Sequence, residues 1–216
     1  MKIDLRITEL LSSRLCHELI SPVGAVGNGL ELLEEEEAGM AADALALSIK
    51  SVRRASALLQ FYRIAYGAAG STAAVGEGEA RSLASGILEG GKITLGWSSS
   101  LPEAGMPQGM AKLILNMLLL AIEALPRGGE LAVDLAASQE GGGQGAVATV
   151  TATGQDARLA DEIRSALAVD ADVEALTAKT VQGYFLIRLA EAFGGHVEVS
   201  APAPGPVRLR LALAAR

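Results

Sequence analysis

Residues 11–30 read LSSRLCHELISPVGAVGNGL, and this stretch decides the fold of the N-terminal part of the chain. Its apolar residues recur at steps of three and four, which is the spacing of one face of an α-helix. The face continues beyond the stretch, and its members are Leu11, Leu15, Leu19, Val23, Val26, Leu30 and Leu33. The pattern predicts a long first helix that ends in the acidic run from Glu34 to Glu37, close to Gly39.

A second helix is predicted over residues 41–69. Its apolar stripe is formed by Leu45, Ile49, Val52, Leu59 and Tyr62. Two helices alone cannot bury two apolar stripes, so each stripe needs a further partner. A symmetric dimer that builds a four-helix bundle satisfies this need, and packing against the rest of the same chain is the alternative.

The remainder of the chain alternates between strand and helix patterns. A stretch with several glycines at residues 70–78 predicts a linker, which divides the chain into domains 1–70 and 71–216. Strands are predicted at 92–97, 130–136, 146–153, 196–200 and 207–213, and helices at 80–89, 106–124, 156–168 and 180–193. Pro107 is acceptable in the first turn of its helix, and the loop 139–145 is rich in glycine. The alternation predicts an α/β layer beside the hairpin, and therefore an α+β chain.

Composition limits the classes of partner. The chain has 216 residues, of which 50% are hydrophobic, and a formal net charge of −7 at pH 7. An acidic chain is poorly suited to nucleic acid, whose phosphates require clusters of Lys and Arg. The longest strongly apolar stretch, residues 114–125, contains Asn116 and Glu123 and is too short to span a bilayer. Because Cys16 is the sole cysteine and charges recur through the N-terminal residues, we expect a cytoplasmic protein without a nucleic-acid or membrane partner.

His17 is the residue of chief chemical interest on the first helix. If Leu15 and Leu19 face the core, a rotation of about 100° per residue places His17 on the side away from them. An exposed imidazole is largely neutral at pH 7 and can act as a nucleophile. Glu18 can orient the ring or accept its proton. The alternative is an ordinary solvated helix face that happens to carry a His-Glu pair.

The residues that follow shape the surface below His17. Pro22 lacks a backbone N–H and crowds the carbonyl of Glu18, so the helix is expected to bend there. Gly24, Gly27 and Gly29 leave a surface with few side chains, where another backbone can approach.

Two segments together resemble a known motif. They are Leu15-Cys-His-Glu-Leu-Ile-Ser-Pro-Val and Gly27-Asn-Gly-Leu-Glu-Leu-Leu. They resemble the H-box of histidine kinases, in which the phosphorylated histidine is followed by an acid and, five residues on, by a proline. More particularly, the chain resembles the ChpT-type histidine phosphotransferases over nearly its whole length. That resemblance implies a dimerising helical hairpin joined to an α/β sandwich, a degenerate form of the kinase ATP-binding (Bergerat or GHKL-like) domain.

The nucleotide-binding boxes of that domain are altered in this chain. Asn116 is kept, but Leu120 stands where the kinases have a second asparagine, and a leucine cannot ligate a metal. Ala152 stands where the adenine-reading aspartate belongs, and Gly183 alone remains of a glycine-rich box. The segment 189–199 is still similar to the ending of the kinase domain. The resemblance therefore implies that the fold is kept, that nucleotide chemistry is lost and that the chain binds no cofactor or metal.

The resemblance also implies a phosphorelay function. A receiver-domain aspartate of a hybrid histidine kinase resembling CckA would donate a phosphoryl group to His17. Response regulators resembling CtrA and CpdR, in cell-cycle control, would then accept it. The magnesium ion would come from the acidic pocket of the receiver. Two alternatives remain, an ATP-dependent histidine kinase, which Leu120 and Ala152 disfavour, and a non-catalytic dimeric scaffold that binds receivers.

The candidate site residues follow from the motif and from charge. His17 and Glu18 are the catalytic candidates. The partner-binding candidates are Arg14, Ser21, Pro22, Gly24, Lys50, Arg53 and Arg54. The cations among them suit an acidic receiver surface, and for those on the second helix a plain solvated face is the alternative.

Overall fold

A computed structural model describes residues 4–34, 40–72, 75–102, 105–138, 145–202 and 205–214. Its N-terminal part is a hairpin of two long helices, α1 (Leu5–Glu34) and α2 (Ala41–Ala65), as the apolar spacing predicts. The acidic run after Glu34, residues 73–74 of the predicted linker and residues 139–144 of the glycine-rich loop lie outside the described residues.

The rest of the described chain is an α/β unit. Its helices are α3 (Ala69–Thr72), α4 (Glu77–Leu88), α5 (Met110–Glu123), α6 (Asp161–Ala166) and α7 (Val181–Phe193), and a 3-10 turn spans Val173–Ala175. Its strands are β1 (Ile93–Ser99), β2 (Gly129–Ser138), β3 (Gly145–Thr153), β4 (His196–Ser200) and β5 (Val207–Ala214). The alternation of helix and strand therefore follows the sequence prediction, including the strand at residues 196–200.

The strands of the described chain form one mixed sheet in the order β1-β2-β3-β5-β4. β1 pairs with β2 in parallel, and the other neighbouring strands are antiparallel. Every second residue of β5 is buried, from Val207 to Leu213, so one face of the sheet turns to the core. α5 and α7 pack on the sheet, and α5 is buried on all sides from Met110 to Ala121. The chain is therefore α+β with a mixed sheet.

A shared hydrophobic core joins the hairpin to the α/β unit. The C-terminal half of α2 contributes Leu58, Phe61 and Tyr62 to the core that also contains α5 and the sheet. Tyr62 is thus buried, whereas the other members of the predicted stripe on α2 are 43% to 53% exposed. Packing within the same chain therefore accounts for one end of the hairpin only. The exposed stripe, formed by Leu45, Ile49, Val52 and Leu59, is left without cover by the described residues.

The start of α5 differs from the prediction. The helix begins at Met110, after Gly109, whose φ of +83° is left-handed and unsuited to a helix. A side chain on Gly109 would also collide with the ring of Phe193, so glycine is required here for space as well. Pro107 therefore precedes the helix and does not lie in its first turn, as the sequence pattern had suggested.

Two further boundaries differ. The helix predicted at residues 156–168 is confined to α6: Asp156 has a left-handed φ of +59°, and the backbone of Ala160, directly before α6, is extended. Helical residues enter the predicted linker from both sides, since α3 ends at Thr72 and α4 begins at Glu77. The proposed domain division after residue 70 falls within α3 and stays a prediction. None of the described helices is long and apolar enough to cross a membrane.

Candidate functional site

His17 lies on the exposed side of α1. Its side chain and that of Glu18 face solvent, whereas Leu15 and Leu19 on the same helix pack against the core. This is the orientation that the helical rotation predicts. The imidazole is therefore accessible to a second protein, and Glu18 is the carboxylate next to it in sequence.

A groove of about 550 Å³ opens beside His17, between α1 and the α/β unit. Its lining residues are Arg14, His17, Glu18, Glu123, Pro126, Arg158, Ala160, Ile163, Ala178 and Lys179. We call it the His17 groove. The exposed cations Arg158 and Lys179 belong to its α/β side, and neither was among the predicted site residues. Lys179 is tied in place by Glu162, with 2.6 Å between its Nζ and the Oε1 of the carboxylate.

Arg14 lies at the floor of this groove and does not face solvent freely. Its guanidinium forms an ion pair with Glu123 of α5, and the two side chains are only 11% and 18% exposed. It also donates to the carbonyls of Ala178 and Lys179, at 3.4 and 3.3 Å. Burial raises the pKa of Glu123, and the charge of Arg14 opposes that rise. The positive charge of Arg14 is thus largely neutralised by Glu123 of the same chain. That Arg14 also binds a partner stays a prediction.

Two atoms of this ion pair are left unsatisfied. Nε of Arg14 and Oε2 of Glu123 are buried without a hydrogen-bond partner among the described residues. Tyr62 lies nearby, and burial, followed by the negative charge of Glu18, raises the pKa of its phenol to about 12. Tyr62 is therefore a neutral phenol at physiological pH. The neutralised ion pair lines the His17 groove, and the neutral hydroxyl of Tyr62 lies on the side of the larger cleft between the hairpin, α4 and α5.

The cations predicted on α2 lie along a second, larger cleft. It encloses about 960 Å³ between the hairpin, α4 and α5, and it is lined by Lys50, Arg53 and Arg54 together with Arg14, Glu18 and Glu123. Lys50 and Arg53 are exposed. Arg54 is half-buried and donates to the carbonyl of Ile87 at the end of α4. The structure thus brings these cations to the same side of the hairpin as Glu18.

The predicted partner-binding residues that follow His17 on α1 differ in their exposure to solvent. Ser21 and Gly24 are exposed, whereas Pro22 is buried, and α1 continues through Pro22 without a break. Gly29 is buried because α2 approaches it through Ala44 and Ser48. The close backbone approach that these glycines predict is thus made at Gly29, by α2 of the same chain.

The kept asparagine of the altered nucleotide box has become part of the interior. Asn116 is fully buried, and its Nδ2 donates to the carbonyls of Ala65 and Lys112, both at 2.8 Å. Its Oδ1 accepts from Nε2 of Gln182 at 2.9 Å, and Oε1 of Gln182 accepts from the hydroxyl of Tyr66 at 2.6 Å. The amide group of Asn116 thus joins the end of α2 to α5 and α7. In the described ranges, no three His, Cys, Asp or Glu side chains gather into a metal-binding cluster.

Sequence reasoning missed Glu123, Arg158, Lys179 and Tyr62 as neighbours of the site. Glu123 carried a usable signal, because a charged residue ends a largely apolar helix and needs a partner when it is buried. Lys179 lies four residues before Gly183 in the altered glycine-rich box and Arg158 lies in no motif, and neither was predicted as a site residue. Tyr62 was predicted only as a member of the apolar stripe on α2, and it is buried in the core of the same chain.

Comparison with known proteins decides the family. Residues 77–205 match the histidine phosphotransferase C-terminal domain family. The chain is also 41% identical over 195 residues to the protein phosphotransferase ChpT of Brucella abortus (strain 2308), an alignment that covers 90% of each chain. The chain belongs to the ChpT-type histidine phosphotransferase family. The resemblance predicted from the H-box-like motif is therefore confirmed.

Solved structures agree with this assignment. A bacterial phosphotransferase determined at 1.7 Å matches over 98% of both chains, with 37% identity and a TM-score of 0.81. The histidine kinase AdeS of Acinetobacter baumannii matches over 92% of this chain and 97% of its own, with 11% identity and a TM-score of 0.50. The second likeness concerns the fold alone. This family member thus combines a phosphotransferase relationship with an architecture similar to that of histidine kinases.

Proposed function

We propose that this family member is a phosphorelay histidine phosphotransferase that carries its phosphoryl group on His17. The observation that carries the proposal is the position of His17, exposed on α1 at the rim of a groove that can admit a partner's reacting loop. The donor is a phosphorylated aspartate on the receiver domain of a hybrid histidine kinase resembling CckA. The acceptors are receiver domains of response regulators resembling CtrA and CpdR, in cell-cycle control in the cytoplasm.

The transfer step forms one bond and breaks one bond. A ring nitrogen of His17 attacks phosphorus in line, and the bond between phosphorus and the aspartate oxygen breaks, so that the aspartate leaves as a carboxylate. The ring gains positive charge, and Glu18 neutralises it by holding or accepting the proton of the other nitrogen. The reverse step passes the group to the next receiver. The magnesium ion comes with the receiver, whose acidic pocket supplies its ligands.

The cations near the site attract and orient the receiver. Lys50 and Arg53 are exposed along the larger cleft and suit an acidic partner surface. Arg14 contributes less charge to the receiver surface, because its guanidinium is paired with Glu123. Its part is to support the His17 groove, through its bonds to the carbonyls of Ala178 and Lys179. Ser21, Pro22 and Gly24 continue the contact surface along α1, and Arg54 holds α4 beside it.

We further propose that ATP is not the phosphoryl source. The support comes from Asn116, whose amide group is buried and bonded to Ala65, Lys112 and Gln182 instead of facing a solvent-filled site. Leu120, at the place of the second asparagine, is fully buried. A metal-bound nucleotide would have to break this network before it could reach Asn116.

The assembly that we propose is a homodimer with a four-helix bundle. Its support is the exposed apolar stripe on α2, because four large apolar side chains along one helix face are costly to leave in water. Two copies that pack these stripes together would bury them and would leave both His17 residues on the outside.

The test is phosphate transfer from a pre-phosphorylated receiver domain to the wild type and to His17→Ala and His196→Ala. His196 is the other of the two histidines, and it is exposed on β4, which makes it a matched control. We expect acid-labile label on the wild type and on His196→Ala, and none on His17→Ala. Glu18→Gln should slow transfer by about 100-fold, the lower range for loss of an acid-base group.

A parallel incubation with labelled ATP and magnesium separates the alternatives. Label that reaches the wild type from ATP alone would contradict the ATP-independent mechanism. Label that persists on His17→Ala would place the acceptor elsewhere. Receiver binding without any label on the wild type would favour a scaffold.

A further inference from the structure

Two arginines of α1 hold one irregular segment of the α/β unit. Arg6 donates from Nε to the carbonyl of Val173 at 3.0 Å, and from one terminal nitrogen to the carbonyls of Glu174 and Leu176 at 2.8 and 3.0 Å. Arg14, eight residues along the helix, donates to the carbonyls of Ala178 and Lys179. Residues 173–179 are thus tied to α1 at both of their ends. We call this segment the wall segment.

The wall segment has little secondary structure to satisfy its own backbone. Apart from the 3-10 turn at Val173–Ala175 and the turn in which the carbonyl of Thr177 accepts from the N–H groups of Thr180 and Val181, its carbonyls lie between α6 and α7, where no strand pairing is available to them in the described structure. Backbone carbonyls that lose water need other donors, and one planar guanidinium can serve several of them at fixed angles. The two arginines therefore fix the course of the segment.

The wall segment also forms one side of the His17 groove, through Ala178 and Lys179. We propose that Arg6 and Arg14 are positioning residues, which hold the wall segment against α1 so that the His17 groove is already formed when a receiver arrives. This inference rests on the proposed phosphotransfer function. It adds that the α/β unit is a fixed half of the docking site.

Arg6 allows the idea to be tested without touching the reacting atoms. It lies eleven residues before His17, about 16 Å along the helix axis, and it does not line the groove. Its contacts with the α/β unit are the carbonyls of the wall segment and the carboxylate of Glu174, so we expect its effect on transfer to come through that segment. If the segment were correctly placed only a tenth of the time, the apparent affinity for the receiver would fall by about tenfold.

The experiment measures transfer from a phosphorylated receiver to the full-length wild type, Arg6→Ala and Arg6→Lys, over a range of receiver concentrations. For Arg6→Ala we expect the half-saturating receiver concentration to rise by about tenfold, with a maximal rate close to that of the wild type. Arg6→Lys keeps the charge but not the fork of donors, so it should lie between the two. Amide hydrogen exchange in residues 173–179 should be faster in both variants.

Two controls make the result specific. Arg208, exposed on β5, provides Arg208→Ala as a matched loss of one surface arginine, and it should behave like the wild type in both measurements. Phosphoramidate, a small donor that needs no docking surface, should label His17 equally in the wild type and in Arg6→Ala. A defect with phosphoramidate would indicate general damage and would overturn the proposed role.

The remaining outcomes separate this inference from the proposed function. An unchanged half-saturating concentration, or unchanged exchange in residues 173–179, would overturn the positioning role while leaving phosphotransfer intact. A wild type that accepts no phosphate from any receiver would instead overturn the proposed function.

Discussion

At the scale of single residues, the absence of a side chain at Gly29 allows α1 and α2 to pack closely. It is buried where α1 crosses α2, and a Cβ atom there would overlap Oγ of Ser48 and lie 3.0 Å from the carbonyl of Ala44. Gly27, two residues earlier on the same helix, has nothing within 4 Å of the place where a Cβ would be. Close packing of α1 on α2 therefore requires a glycine at position 29 but not at position 27.

Gly29→Ala and Gly27→Ala should accordingly shift stability in opposite directions. We expect Gly29→Ala to lower the free energy of unfolding by about 1–3 kcal/mol, the usual cost of overpacking. Gly27→Ala should raise it by about 0.5–1 kcal/mol, because alanine favours helix. Urea unfolding followed by circular dichroism measures both. Equal effects of the two substitutions would contradict this account of the helix crossing.

The surroundings of single residues were only partly predictable from sequence. The exposure of His17 follows from helical rotation alone, which needs no knowledge of the rest of the chain. The burial of Arg14 could not be inferred in the same way, because its partner Glu123 is 109 residues away. Local periodicity gives the direction of a side chain, whereas the identity of its neighbour depends on how distant elements pack.

At the scale of elements, α2 has two faces with different uses. One face, with Leu58 and Phe61, is buried in the core of its own chain. The other, with Ile49 and Val52, is exposed along the hairpin. An exposed apolar helix face is stabilised when it packs against another apolar surface. A second copy of the hairpin offers such a surface, with apolar residues at the same spacing.

Val52→Glu should separate the proposed dimer into monomers. A charge placed in the middle of an apolar bundle interface must lose water without gaining a partner, so dimer affinity should fall by at least about 100-fold. Val169, which is 60% exposed on the α/β unit, provides Val169→Glu as a matched control that should remain dimeric. Sedimentation equilibrium measures both variants. A wild type that is monomeric at tens of micromolar would refute the proposed assembly.

Elements were predicted well where the pattern was periodic, and less well where they start. The strands appear where alternation indicated them, and β4 has the predicted bounds. The start of α5 was misjudged because Gly109 must leave room for the ring of Phe193, which is a tertiary constraint. The helix near Asp156 was predicted to be too long, because hydrophobic spacing does not reveal that Asp156 has a left-handed backbone.

For the whole molecule, the shared core argues that hairpin and α/β unit unfold together. Buried residues of α2 belong to the same cluster as α5 and the sheet, and the network of Tyr66, Gln182 and Asn116 crosses the junction. A hairpin without the α/β unit would expose Phe61 and Tyr62, which are 0% and 4% exposed in the complete fold. The hairpin therefore has no complete core of its own and shares that of the α/β unit.

Thermal or urea unfolding should consequently be a single transition by two independent probes. Trp97 is the sole tryptophan and lies on β1, where its Nε1 donates to Oε1 of Glu77 at 3.0 Å, so its fluorescence reports on the α/β unit. Far-UV circular dichroism is weighted toward the long helices α1 and α2. The two midpoints should coincide. An earlier loss of helical signal would show that the hairpin melts separately.

The chain's one sulfhydryl, on Cys16, is exposed and immediately precedes His17. A thiol-reactive dye would therefore attach at one defined place without any substitution in the protein. The chromophore would lie beside the reacting imidazole, so its emission would change when a receiver covers the groove and change back when the receiver departs. Each arrival and departure could then be timed in stopped flow, with the native sequence serving as its own reporter.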